Sequence, residues 1–257
     1  MGSVVNQLAF LPPQHDEEDK KDLGTHTDFK QIVTKGGSKI AALWFYKEDN
    51  DYTILYSHGN AEDLISSQYG FKALSEDLAT YDDIESAFNW LTNPNEGPNI
   101  SPSKIILFGR SLGSGPTVHL AAKYNNLAGL ILQSPLRTAI KTQLYHWVAS
   151  SILKPADIFH NETKITKVTT YPVFIIHGKN DRVVPFSHGE YLYQQVKAKN
   201  TCEVRYFWVE GCGHNDIEMR RGDEFRQKLL EFIDECIRKK KQTSQQDDTT
   251  TPATRIN

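Results

Sequence analysis

Three features of the sequence predict an α/β fold with a mostly parallel central sheet and helices on both faces. Short apolar runs of strand length recur along the chain, amphipathic helical stretches separate several of them, and polar or glycine-bearing loops follow the runs. A chain of 257 residues with 39% apolar residues can bury one sizeable core, so a single folded domain is expected.

Residues 1–28 read as a polar arm. From Pro12 to Asp28 they are charged and poor in β-branched and aromatic residues, the composition of a solvated connector. The opening MGSVVNQLAFLPP has too short an apolar part, and no positive leading region or small-residue cleavage site, for a secretory signal. Gly2 is a candidate myristoyl acceptor, with Asn6 where that motif has Ser or Thr.

The folded domain is expected over 29–240. Phe29–Thr34 and Lys39–Tyr46 flank Gly36 and Gly37 and read as a β-hairpin, because adjacent glycines supply the positive φ of a tight turn. Tyr52–Ser57, Lys104–Phe108, Leu127–Leu132, Tyr171–Ile176 and Val204–Val209 are short, mainly apolar runs of strand length, typical of parallel strands buried on both faces. Tyr81, Ile84, Ala87, Phe88 and Leu91 recur at helical spacing, as do Phe225, Leu229, Phe232, Ile233 and Cys236. Within 136–160, Leu144, Trp147, Val148, Ile152 and Leu153 form an apolar segment that reads either as ordinary core or as a small lid for an acyl chain. The tail 241–257 is polar and is expected to be disordered.

Composition also excludes classes of function. The formal net charge of −3 gives no basic field to hold nucleic acid, so no nucleic-acid partner is expected. No run approaches the 18 or so apolar residues needed to cross a bilayer, leaving at most peripheral contact, to which Lys239–Lys241 would contribute. Cys202, Cys212 and Cys236 lack C-x-x-C spacing and are odd in number, which argues against a zinc site and a disulfide framework and fits a reducing, intracellular setting. No metal or organic cofactor is implied, and oligomeric state is not legible.

The chemistry lies in the loops. Gly109-Arg110-Ser111-Leu112-Gly113 stands directly between the run KIILF and the helical stretch LGSGPTVHLAAKY. G-x-S-x-G there reads as a nucleophile elbow, in which a strained strand-to-helix turn lifts the serine hydroxyl clear of the sheet and Gly109 and Gly113 avoid collision with neighbouring backbone. The bland alternative is a glycine-rich helix cap. A hydroxyl needs a base and the base needs an orienting acid, following in the order Ser, Asp or Glu, His. His214, in EGCGHND after the last apolar run, is the best base; Asp181, in HGKNDRVV after the run before it, is the best acid. Their structural competitors are a surface-loop histidine and a turn-forming aspartate. The other histidines are weaker candidates, His58 and His177 at strand ends among them. Oxyanion donors are expected from the backbone N–H of Leu112 and of Asn60, which follows His58-Gly59.

Together, YTILYSHGNAEDL, IILFGRSLGSGPTVHLA, FIIHGKNDRVVPFSHGEYLY and WVEGCGHNDIE resemble one branch of the α/β-hydrolases, the abhydrolase-domain-containing protein seventeen group. That group is known as acyl-protein thioesterases that remove palmitate from membrane-bound proteins. The resemblance covers most of 52–237 and implies the α/β-hydrolase fold, a triad of Ser111, Asp181 and His214, an oxyanion hole at Asn60 and Leu112, and an acylated protein or small ester as substrate. Two departures stand out. The N-terminal cysteine cluster of that group is missing, since no cysteine precedes Cys202. Between SHGNAEDL and YDDIESAFNWL about 20 residues of the pattern are absent, and no other apolar run in 61–103 has the length of a buried strand, so a sheet one internal strand short is expected. Two classes of function therefore stand side by side: a serine hydrolase, acting on thioesters, small esters or peptides, and an inactive variant of the same fold that serves as a binding module.

Overall fold

The computed structural model describes residues 29–44, 52–59, 77–138 and 159–249. Strands β1 (Phe29–Val33) and β2 (Lys39–Leu43) pair antiparallel, with Phe29 opposite Leu43 and Val33 opposite Lys39. Their turn uses one left-handed glycine, Gly37 at φ 83°. Gly36, expected to share that role, does not take a positive φ and instead donates its N–H to Asp82 Oδ2 at 3.0 Å.

The main sheet has five parallel strands in the order β3 (Thr53–Ser57), β4 (Ile105–Arg110), β5 (Gly129–Gln133), β6 (Val173–Gly178) and β7 (Val204–Val209). Helices alternate with them: α1 (Asp77–Thr92), α2 (Ser114–Lys123), the short α3 (Asn161–Lys164), α4 (Ser187–Lys199) and α5 (Ile217–Thr249). The continuous apolar runs are explained by the two packed faces. Ile105, Leu107, Leu130, Leu132, Val173 and Ile175 meet α1, α2 and α4, while the alternate residues Ile106, Phe108, Ile131, Phe174 and Ile176 meet Phe232 and Cys236 of α5. Gly129 lets α5 approach closely, because a Cβ there would lie 2.6 Å from Cys236 Sγ.

The expected loss of an internal strand concerns 61–76, which lie outside the described residues. Among those described, β3 pairs with β4 alone, and the β1–β2 hairpin forms a sheet of its own. Ile54 and Tyr56 of β3, on the same face as Ile106 and Phe108, are exposed. The hairpin is tied to α1 by the Gly36–Asp82 bond and by Trp44 packed edge-on against Trp90 at 5.8 Å.

The last helix departs from expectation. It kinks at Arg221 (φ −135°, ψ 31°) and then runs through Thr249, past residue 241 where a disordered tail was expected to begin. Neither glycine nor proline interrupts the chain between Gly222 and Pro252, so nothing polar in that stretch ends the hydrogen-bond ladder. The lid-like stretch around Trp147, the N-terminal arm and residues 250–257 lie outside the described residues. No helix among those described is long and apolar enough to cross a membrane.

Candidate active site

Ser111 begins a single 3₁₀ turn, Ser111–Gly113, between β4 and α2. Its φ of 50° is left-handed, a conformation that costs a residue with a Cβ about 1–3 kcal/mol unless its surroundings hold it. The surroundings do so. Ser114 Oγ donates to Ser111 O at 2.6 Å and accepts from Leu136 N–H at 3.0 Å. A Cβ on Gly109 would stand 2.6 Å from Thr117 Oγ1, and one on Gly113 would overlap the carbonyls of Ser57 and His58. Both elbow glycines are thus required by close packing, the first chiefly against the Thr117 side chain and the second against the backbone that leaves β3.

His214 lies in the loop after β7. Gly211 turns the chain at φ 73°, and Gly213 N–H donates to Asp216 Oδ1 at 2.6 Å while Asp216 Oδ2 holds Arg220 Nε at 2.6 Å. Arg110, beside Ser111, reaches across to Asn215 Oδ1 at 3.0 Å and His214 O at 3.4 Å, so the elbow itself holds the histidine loop. Asp181 lies in the turn after β6. Gly178 admits the histidine loop there, since a Cβ would meet the carbonyls of Cys212 and Gly213 at 2.5 Å.

These loops bring three expected residues together. His214 Nδ1 is 2.7 Å from Asp181 Oδ2, and His214 Nε2 is 2.9 Å from Ser111 Oγ. A carboxylate only accepts, so Nδ1 carries the proton and Nε2 offers its lone pair to the serine O–H. The other carboxylate oxygen, Oδ1, accepts the N–H groups of Val183 and Val184, each at 2.8 Å. Burial of Asp181 pushes its carboxyl upward, but donors from His177 and His214, the charge of His214 and the Val184 N–H outweigh it and hold the group well below the usual carboxylate range. Asp181 is therefore an anion, and proton transfer from Ser111 to His214 would place an imidazolium against it.

Leu112 follows Ser111 with its side chain packed against the cluster of Leu136, Phe159 and Val184, leaving its backbone N–H at the elbow. Asn60 lies outside the described residues; Ser57 and His58, just before it, abut Gly113. Two residues of the site were not singled out in the sequence. Arg110 has no signal beyond its place inside the elbow. His177 was set aside as a structural ring, yet its Nε2 lies 3.2 Å from Asp181 Oδ2. The signal for it was spacing: a histidine at a buried strand end, four residues ahead of the acid.

Residues 43–240, which contain all of this, match the model of the prolyl oligopeptidase family. The chain belongs to that family of α/β-hydrolases. Among its relatives in the prolyl oligopeptidase family, human α/β hydrolase domain-containing protein 17B is 32% identical over 276 aligned positions, covering 90% of this chain and 91% of the relative. Domain-containing protein 17C of Xenopus tropicalis is 35% identical over 204, covering 71% and 61%. The alignment with 17B is longer than this chain's 257 residues, so the relative holds positions without counterpart here. In fold, an esterase of Pyrococcus furiosus superposes with a TM-score of 0.66 at 16% identity, covering 88% of this chain and 97% of its own. An acylaminoacyl peptidase of Pyrococcus horikoshii does so with 0.61 at 13%, covering 85% and 44%.

Proposed function

We propose that this protein is a serine hydrolase that transfers an acyl group from a thioester or ester to water through an acyl-enzyme on Ser111, with S-palmitoylated proteins as its substrates. The observation that carries the reading is the unbroken chain Ser111 Oγ–His214–Asp181 at 2.9 and 2.7 Å. Ser111 Oγ attacks the carbonyl carbon as His214 Nε2 takes its proton, and the oxyanion is met by the N–H groups of Leu112 and Asn60. Collapse breaks the carbon–sulfur bond, and the leaving thiolate takes the proton from His214. Water, giving a proton to His214, then attacks the acyl-serine; the bond to Ser111 Oγ breaks, Oγ takes that proton back from His214, and the acid is freed.

The substrate class rests on the likeness to the protein 17 group along nearly the whole chain. A peptidase reading draws on the match to the prolyl oligopeptidase model. Peripheral contact with the cytoplasmic face of a membrane is part of the proposal only through the N-terminal arm, where a single acyl chain on Gly2 would bind weakly. The run at 239–241 adds little to it. Lys239 is paired with Glu203 and Glu235 at 2.7 and 3.2 Å, Lys240 donates to Asn126 O at 3.3 Å, and this cluster flanks the amino end of β7, opposite the end that bears His214.

Turnover compared among a palmitoyl-peptide thioester, a short nitrophenyl ester and a peptide anilide tests the reading. The thioester is expected to show the highest kcat/KM, lowered about 10⁴-fold or more by Ser111→Ala. Preference for the anilide would favour a peptidase, and a folded protein that cleaves none of the three would leave the binding-module reading.

A further inference from the structure

The described residues place a second histidine behind the acid. His177 ends β6 and is fully buried, with its ring edge-on to Phe186 at 5.9 Å. Its Nε2 lies 2.9 Å from Val184 O and 3.2 Å from Asp181 Oδ2. A carbonyl and a carboxylate can only accept, so Nε2 must carry the hydrogen and offer it to both. Among the described residues the other ring nitrogen has no hydrogen-bond partner, and it faces Gly189 of α4, where a Cβ would stand 2.5 Å from it. A lone pair fits that apolar contact, whereas an N–H there would be buried and unpaired. The turn that carries Asp181 is thus fixed twice by one ring: through Val184, whose N–H already binds Oδ1, and through Oδ2 directly.

We propose that His177 is a positioning residue for the triad, its Nε2–H shared between Val184 O and the very carboxylate oxygen that receives His214. The proposal rests on the reading of Ser111 as nucleophile. The ionisable groups in hydrogen-bond range of Asp181 are His177 and His214, while neighbouring Lys179 is paired with Glu210 at 2.6 Å. Oδ2 divides its charge between two donors. Removing the His177 donor leaves more of that charge facing His214 and so favours the imidazolium.

The rate at which a fluorophosphonate labels Ser111, followed against pH, reads this directly. In His177→Met, which keeps bulk and loses the donor, the midpoint of the acid limb is expected to move upward by about half a pH unit or more, lowering the rate on that limb about three-fold. His177→Gln, which retains an N–H donor, is expected to restore the wild-type midpoint. Gly189→Ala, which displaces the ring without removing it, is expected to shift it in the same direction as the Met variant. A merely structural role would lower the amplitude and leave the midpoint unmoved; that outcome, or a downward shift, overturns the proposal. Nitrogen-15 spectra of the wild type supply a reading that requires no variant: a proton on Nδ1 rather than Nε2 of His177 also overturns it. A folded wild type that never labels removes the nucleophile reading and the proposal with it, whereas labelling with an unmoved midpoint removes only the role of His177.

Discussion

Asp181 receives more donors than orienting one imidazole requires. Val183, Val184, His177 and His214 all point at a side chain that is fully shielded from solvent. Such a charge is stable only because its lone pairs are filled, and a buried anion with a partner removed is costly. The net downward shift fixes how stability should depend on pH. A carboxyl held below its unfolded value of about 3.8 contributes stability that is fully present above that pH and is lost as pH falls through the folded value. Asp181→Asn is therefore expected to be less stable than wild type at neutral pH by on the order of 2 kcal/mol, with a gap in melting temperature that is flat down to about pH 5 and narrows below about pH 4. A gap independent of pH would mean that shape rather than charge is what Asp181 supplies.

At the scale of elements, the site is a junction where β3, β4, β6 and β7 each deliver a loop to one end of the sheet. The elbow is the tightest contact of the junction, because Gly113 lies directly against the carbonyls of Ser57 and His58. Gly113→Ala is expected to force the β3 loop and the elbow apart, destabilising the fold by several kcal/mol and depressing labelling of the remaining folded protein; thermal melts and labelling amplitude check both. Element positions were legible where a short run dominated by apolar residues marks a strand, as in β7, whose bounds agree with the run at Val204–Val209 despite Arg205 within it. They were less legible where the reason for a conformation lies in another part of the chain. β4 continues through Gly109 and Arg110, two residues with no strand preference, because both pair with β5 up to Gln133. The end of α5 was misplaced because polar residues without a breaker read equally as solvated coil or as helix.

Across the whole molecule, residues 60–76, between β3 and α1, lie outside the described residues. The five-stranded sheet that carries Ser111, Asp181 and His214 is nonetheless continuous from β3 to β7, and the hairpin attaches through Asp82 and Trp44 rather than through the ladder. Among the described residues β3 is an edge of this sheet, and the ladders joining the strands that deliver the three side chains are complete. Ser111, His214 and Asp181 stood out in the sequence because each follows a buried strand and two are bracketed by glycine; His177 did not, since its partners are a carbonyl and a carboxylate that only the folded turn brings within reach. The central claim is that these loops converge to make one hydroxyl reactive. Intact-mass and peptide-mapping measurements after exposure to a fluorophosphonate test it most directly. A single adduct on Ser111, absent from Ser111→Ala and slowed strongly in His214→Ala, is the expected result; a folded protein that acquires no adduct, or acquires it on another residue, would contradict it.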